Sequence, residues 1–300
     1  MSDLVGDNQE ELLTSFLDLE PILVWSPDGV RAIVQTHGGD WELYLADTQN
    51  GSLGPCLSCG IEDAIGGVAF SPDGRSIALG ADGGLYLVGD DGAGRRLLAA
   101  VPNARWMTWS PDGAQLIFVG GVNPRDLYRI DVGGGNLVQL TQSPSDRPIT
   151  YTMPQWSPLG DRIAVHVFDE DGLFLALISP DGTGRTDLAE WTIQTEILDP
   201  GSVWPPQWSP DGRQILFESS GPMGDLEIFV INADGTGLRN LTNSPGRDSD
   251  PVWSPDGRYI AFVTNRDGND EIYVMNADGT DQRNVSQSPI LDECCPGWRP

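Results

Sequence analysis

Lysine is absent from this chain of 300 residues: all seventeen basic residues are arginine, against 44 Asp and Glu, for a formal net charge of −27. That balance excludes the basic footprint through which proteins hold nucleic acid or an anionic membrane surface. It favours a cationic partner, divalent ions or solubility in a salty medium. Histidine is nearly missing as well, with only His37 and His166. No apolar run approaches the roughly 20 residues of a membrane helix, so membrane insertion is not expected. The first eleven residues are acidic and lack a basic region followed by an apolar stretch, so no signal peptide is visible. No segment shows a helical period of useful length, which leaves an all-β protein.

What the chain has is a repeat. Asp250–Ser286 reads as one complete four-stranded unit: a short strand ending in Trp253, an SPDG turn, two longer strands around a polar loop, and a fourth strand after the NADG turn. In the SPDG turn proline presets φ, aspartate tolerates the third position and glycine takes the positive-φ site. The aromatic before each such turn recurs at Trp25, Phe70, Trp109, Trp156, Trp208 and Trp253, with Trp298 in a truncated copy, at spacings of 45, 39, 47, 52, 45 and 45. A lone antiparallel unit of this size exposes an apolar face and needs neighbours. A four-strand unit recurring near 40–45 residues is the pattern of a β-propeller blade. The expectation is therefore a single β-propeller domain over residues 1–300: an N-terminal closing strand in 1–20, six blades in 21–287 and a closing segment in 288–300. A seven-bladed ring is the alternative, with Trp298 on an inner strand and Glu11–Ser15 on the outer one; the count of complete copies favours six.

The stretches PVWSPDGRYIAFVTNRDGNDEIYVMNADGTDQRNVS and QWSPDGRQILFESS, the latter with LEIFVINADGTGLRNLT, resemble the TolB-like β-propeller repeat, and the resemblance runs along essentially the whole chain. It implies the fold far more specifically than the function. Members include bacterial envelope proteins that bind a peptidoglycan-associated lipoprotein, gating domains beside serine peptidase domains, and some polysaccharide lyases. A periplasmic or secreted setting is implied. The envelope member carries an extra N-terminal domain, whereas only residues 1–20 precede the first blade here, so its partner does not transfer.

Function is expected where the copies depart from the repeat. The fourth-to-first and second-to-third strand loops gather at one face, and irregular loops on a rigid scaffold are where binding residues concentrate. That face is expected to carry Trp106, Tyr151, Trp191 and Trp204, aromatics able to anchor a peptide or stack on a sugar, together with Asp126, Asp169 and Asp171. The interval from Leu188 to Trp208 is the longest of its kind and holds both Trp191 and Trp204. Packing beneath the loops explains such aromatics equally well. Asp267 and Asp270 are the metal candidates, with Ca²⁺ the ion that hard oxygen donors suit, although no loop follows a full calcium-loop spacing.

Enzymatic signals are thin. There is no G-x-S-x-G elbow and no hydrolase domain after the repeats, and two separated histidines are too few for a metal-dependent lyase. The reading is a binding or scaffold propeller for a protein, peptide or glycan, with an enzyme at the channel mouth or a subunit exchanging terminal strands as alternatives. Cys56, Cys59, Cys294 and Cys295 are the disulfide candidates. A bridge between Cys59 and the segment around Cys294 would staple the ring for roughly 2–4 kcal/mol. Four-thiolate zinc is the other use, to which adjacent Cys294 and Cys295 suit tetrahedral geometry poorly.

Overall fold

The computed structural model describes residues 24–37, 41–61, 67–122, 125–191, 204–221, 224–286 and 298. They form six four-stranded antiparallel sheets, each strand pairing with its neighbour in sequence, in two compact units that divide after Gln142.

The first unit holds three blades. They are β1 (Val24–Trp25), β2 (Arg31–His37), β3 (Trp41–Asp47) and β4 (Leu53–Cys56); β5 (Val68–Phe70), β6 (Ser76–Ala81), β7 (Gly84–Gly89) and β8 (Arg96–Ala99); and β9 (Arg105–Trp109), β10 (Gln115–Gly120), β11 (Asp126–Asp131) and β12 (Val138–Gln139). The second unit holds the other three. They are β13 (Thr150–Trp156), β14 (Ile163–Asp169), β15 (Gly172–Ile178) and β16 (Thr186–Trp191); β17 (Gln207–Trp208), β18 (Gln214–Ser220), β19 (Leu226–Asn232) and β20 (Arg239–Asn240); and β21 (Asp248–Trp253), β22 (Tyr259–Thr264), β23 (Glu271–Asn276) and β24 (Arg283–Asn284). No helix occurs among the described residues, and none is long and apolar enough to cross a membrane.

The SPDG turn is wired the same way each time. The glycine N–H donates back to the serine carbonyl at Ser26, Ser71, Ser110, Ser209 and Ser254, and each of these glycines has φ between 67° and 70°, the region that costs other residues most. The serine hydroxyl donates to the aspartate two residues on, at 2.6–2.7 Å, and accepts the N–H that opens the second strand. Those bonds hold the carboxyls of Asp28, Asp73, Asp112, Asp211 and Asp256 below their ordinary range, the serine bond being the largest cause. Blade four has Leu159 where the others have aspartate, and there Ser157 donates instead to Asp161 at 2.8 Å.

The cores lie between consecutive blades. In the first unit, Ile33, Leu43 and Leu45 of blade one pack with Phe70, Ile77 and Leu79 of blade two, and Leu85 and Leu98 pack with Trp109, Leu116 and Phe118 of blade three. In the second, Leu173 and Leu175 meet Ile215 and Phe217, and Leu216 and Ile228 meet Trp253 and Phe262. The second strands carry runs of consecutive buried residues for this reason, as in SIALGA, QLIFVG and YIAFVT.

The repeat tryptophan ties one blade to the one before. Its indole Nε1–H donates to the carbonyl of the residue preceding the previous blade's aromatic: Trp109 to Ala69 at 3.1 Å, Trp208 to Gln155 at 3.1 Å and Trp253 to Gln207 at 3.3 Å. Trp298 donates to Val252 at 3.1 Å in the same manner, so it is seated on blade six as the first-strand tryptophan of a following blade would be. The proposed N-terminal closing strand, and the rest of the closing segment, lie outside the described residues.

The cysteine expectation needs correcting. Cys59 bonds to Cys56, with Cα atoms 5.7 Å apart, and so is not available to clasp the chain ends; Cys294 and Cys295 lie outside the described residues. The sequence order placed Cys59 near the end of an outer strand but not the turn that brings it back to Cys56. By chain entropy a loop this short contributes about 2 kcal/mol.

Replacing Trp253 with phenylalanine keeps most of the buried ring and deletes only the donor to Gln207. The expected loss is about 1 kcal/mol in urea denaturation, with an unchanged m-value; a loss near that of Trp253→Ala would mean that the hydrogen bond is not the tie.

Candidate functional site

In a four-stranded meander the second-to-third loop and the loop entering the first strand lie at the same end of the blade. At this end the first strand bulges. The pairing shifts register between Ile117 and Val119 opposite β9, at Thr152/Gln155 in β13, and at Ser249/Val252 in β21. The residue three before the repeat aromatic has positive φ there: Trp106 at 49°, Met153 at 52° and Asp250 at 58°, while blade two has Gly67 at 111°. Glycine takes that conformation without strain; a side chain there costs on the order of 1–3 kcal/mol and is found mainly where function re-aims it. Trp106, Met153 and Asp250 are thus presented by the fold at a cost that Gly67 shows to be avoidable.

The bulge at Asp250 has the most developed surroundings. Its N–H donates to Glu218 Oε1 at 2.7 Å; Glu218, on β18, is only 1% exposed. A second N–H, from Trp204, also reaches the Glu218 carboxyl. Burial pushes the Glu218 carboxyl up to about 8, helped by the neighbouring Asp250 charge and opposed by the two N–H groups and Arg247. Burial likewise raises Asp250 to about 6, with Arg247 and Ser249 opposing and Asp270 assisting. Asp250 Oδ1 is buried and meets no hydrogen-bond donor among the described residues. Arg247 pairs with Asp270 at 3.4 Å, and the Trp204 side chain is 43% exposed. A half-neutral carboxyl pair, an arginine and an exposed indole therefore share the loop end of blades five and six.

Neighbouring acids serve the scaffold. Asp248 is fully buried against Arg266 at 2.9 Å, and the Arg266 guanidinium also reaches Gln282 and lies over Phe262 and Tyr273. Glu227 accepts from Thr242 Oγ1 at 2.5 Å, whose oxygen accepts the Ile228 N–H. Asp126, expected at the binding face, does the same work in blade three with Thr141 and Leu127.

The remaining candidates are distributed as follows. Two guanidinium groups lie against the Trp106 ring, Arg105 at 5.7 Å and Arg125 at 5.3 Å from its centroid. Tyr151 is buried, 7% exposed, so it packs and offers no open stacking face. Asp169 faces Arg185 at 3.7 Å, and Asp171 pairs with Arg147. Trp191 closes β16, and its side chain is outside the described set. Asp267 is bound by Tyr273 and Asn284, and Asp270 by Arg247, so the two candidate calcium ligands face different partners. Among the described residues, the one group of three side chains with metal-ligand spacing is Glu42, Cys56 and Cys59. His166 is fully buried, and burial alone lowers it to about 3; it is a neutral core side chain. Sequence reasoning missed Glu218, Arg247 and Asp250 as site residues. The readable signal was positional: Asp250 stands where blade two has glycine.

Six sequential four-stranded meanders with tryptophan ties define a six-bladed β-propeller. The model of the TolB beta propeller domain matches residues 186–293. A TolB homolog of Chlorobaculum tepidum is 51% identical over 137 residues, which cover 45% of this chain and 28% of that protein. An uncharacterised protein of Agrobacterium fabrum is 25% identical over 229 residues, 73% of this chain and 57% of its own length. The chain is thus similar to TolB-like β-propellers, and it spans 57% of the length of the Agrobacterium protein and 28% of the Chlorobaculum one. Among solved structures, a puromycin-hydrolyzing peptidase of Mycobacterium tuberculosis aligns with a TM-score of 0.69 at 16% identity, covering 94% of this chain and 48% of that one. At that identity the likeness concerns the fold.

Because folding raises the Glu218 carboxyl from near 4.5 to about 8, the folded protein holds a proton that the unfolded chain has released between those values. Its stabilising contribution is complete below pH 4.5 and falls as pH rises to 8. Glu218→Gln keeps the shape without the titration. Its Tm should fall less between pH 5 and 8 than that of the parent, exceeding it by roughly a few degrees at pH 8. Parallel Tm profiles would show that Glu218 does not titrate in this window.

Proposed function

We propose that this propeller is a non-catalytic binding module that grips a cationic polypeptide segment at the loop end of blades five and six. The observation that carries the reading is Asp250: a carboxylate held at φ 58° with one oxygen buried and unmet among the described residues. An ammonium or guanidinium group docked at this loop end favours the charged form of the carboxyl pair beside it. The exposed Trp204 indole beside it offers the apolar anchor, a residue type that dominates interface energetics. The charge of −27 on the whole chain steers such a segment in and speeds its encounter at low salt. The fit to a binding scaffold is shared with the TolB homologs. An extracytoplasmic setting accords with that likeness and with the Cys56–Cys59 disulfide.

Selection from a displayed peptide library on the full chain should return Arg- or Lys-bearing peptides with an apolar residue near the basic one. Their affinity should fall at least tenfold in Trp204→Ala and in Asp250→Gly, and should weaken as salt rises. Asp250→Gly should unfold no earlier than the parent, since glycine relieves the positive-φ cost. Recovery of neutral peptides indifferent to both substitutions, or binding of oligosaccharides alone on an array, would overturn the proposal.

A further inference from the structure

Blade one departs from the repeat at one corner. In blades three, five and six the acid opening the third strand, Asp126, Glu227 or Glu271, takes the hydroxyl of a Thr or Ser after the fourth strand, and that hydroxyl accepts the next residue's N–H. Blade one keeps the second half of the arrangement, Leu43 N–H to Ser58 Oγ at 2.8 Å. Its acid, Glu42, accepts from Tyr44 Oη at 2.9 Å and has its carboxylate within 4.8 Å of both Cys56 Sγ and Cys59 Sγ.

The sulfurs sit on a Cys56-Leu57-Ser58-Cys59-Gly60 turn whose glycine has φ 74°. The Cys59 N–H donates to Cys56 Sγ at 3.0 Å, a bond that would hold a thiolate or a metal-bound sulfur in place. The turn is fixed by contacts that do not involve the disulfide. Leu57 is fully buried and its N–H donates to the Leu43 carbonyl at 2.7 Å. Arg95 donates to the carbonyls of Leu57, at 3.3 Å, and Cys59, at 2.8 Å. Breaking the S–S bond therefore leaves both side chains on the same anchored backbone.

We propose that reduction of the Cys56–Cys59 disulfide converts this corner into a zinc site whose donors are the two cysteine sulfurs and the Glu42 carboxylate. Zinc takes thiolate at about 2.3 Å and carboxylate oxygen at about 2.0–2.2 Å, so tetrahedral donors stand roughly 3.5–3.8 Å apart, within the compass of these three groups. Two thiolates in the set select zinc over calcium or magnesium. Tyr44, bonded to Glu42, is the outer group that orients the carboxylate.

The switch is a thiol–disulfide exchange with a dithiol reductant. One reductant thiolate attacks Cys59 Sγ, the S–S bond breaks, and the electron pair leaves on Cys56 Sγ, where the Cys59 N–H receives it. The second reductant thiol then displaces Cys59 from the mixed disulfide. The dithiol becomes a disulfide and the protein gains two electrons and two protons. Zinc binding releases those two protons to solvent.

The test uses the full chain carrying Cys294→Ser and Cys295→Ser, titrated with Co²⁺ and then Zn²⁺, oxidised and after dithiol reduction. The oxidised form should show no thiolate-to-cobalt charge-transfer band. The reduced form should bind one equivalent and yield it to zinc, Cys56→Ser should abolish the band, and Glu42→Gln should weaken binding at least tenfold. Glu42→Gln with its disulfide intact should unfold within a degree or so of its parent, which separates loss of a ligand from loss of the blade. Absence of one-to-one binding in the reduced form, unchanged affinity in Glu42→Gln, or loss of near-ultraviolet circular dichroism on reduction alone would overturn the proposal.

Discussion

The indole bonds from Trp109, Trp208, Trp253 and Trp298 to the preceding blade are the interactions on which the other features depend. A four-stranded meander has two apolar faces and cannot bury either alone, so it must stack on its neighbours. Stacking by apolar contact is non-directional. The indole N–H adds direction: from Trp109, Trp208, Trp253 and Trp298 it reaches the carbonyl just before the previous blade's aromatic. One aromatic thus fixes how far a blade is displaced along its neighbour while filling the space between them. With the spacing between consecutive blades set in this way, the loop ends of blades five and six come together closely enough for the Asp250 N–H to bind Glu218, 32 residues back.

The scaffold was legible because its determinants are local. Turn residues, the alternation of strands and the aromatic before each turn lie within one copy, and their recurrence announces the neighbours that each copy needs. Even the Ser–Asp bonds of the SPDG turn follow from residue types two apart. The acid–hydroxyl pairs were not legible, because Asp126 and Thr141 meet across a strand pair. Asp126 therefore looked like a binding residue when its carboxylate is committed to the scaffold. Tyr151 looked like a stacking platform, but the aromatic alone cannot reveal which side of the strand it occupies, and it is buried. The Cys56–Cys59 bond was obscured by a competing long-range pairing, although short spacing made it the nearer partner.

Scaffold and site make opposite demands on the same strand. The first strand must end in the aromatic that ties the blades, and three residues earlier it must bulge to enter that register. Gly67 meets the backbone requirement with no side chain at all. Trp106, Met153 and Asp250 meet it with three unlike side chains, so the bulge is a fixed address at which chemistry varies while the blade around it does not. Glu218 shows the consequence for electrostatics. Its surroundings are set by packing, and the carboxyl responds to Asp250, whose position the bulge decides.

Pairing every strand with its sequence neighbour has a kinetic side. The contacts that close a blade span a few tens of residues, so the loop-closure entropy paid before the first sheet forms is small for an all-β chain of this length. Any blade with a complete set of turn bonds can serve as the nucleus, and growth then proceeds outward one blade at a time, each newcomer docking its first-strand aromatic on a surface already made. Blade four, whose serine must reach Asp161 in place of the missing turn aspartate, is the one least suited to begin.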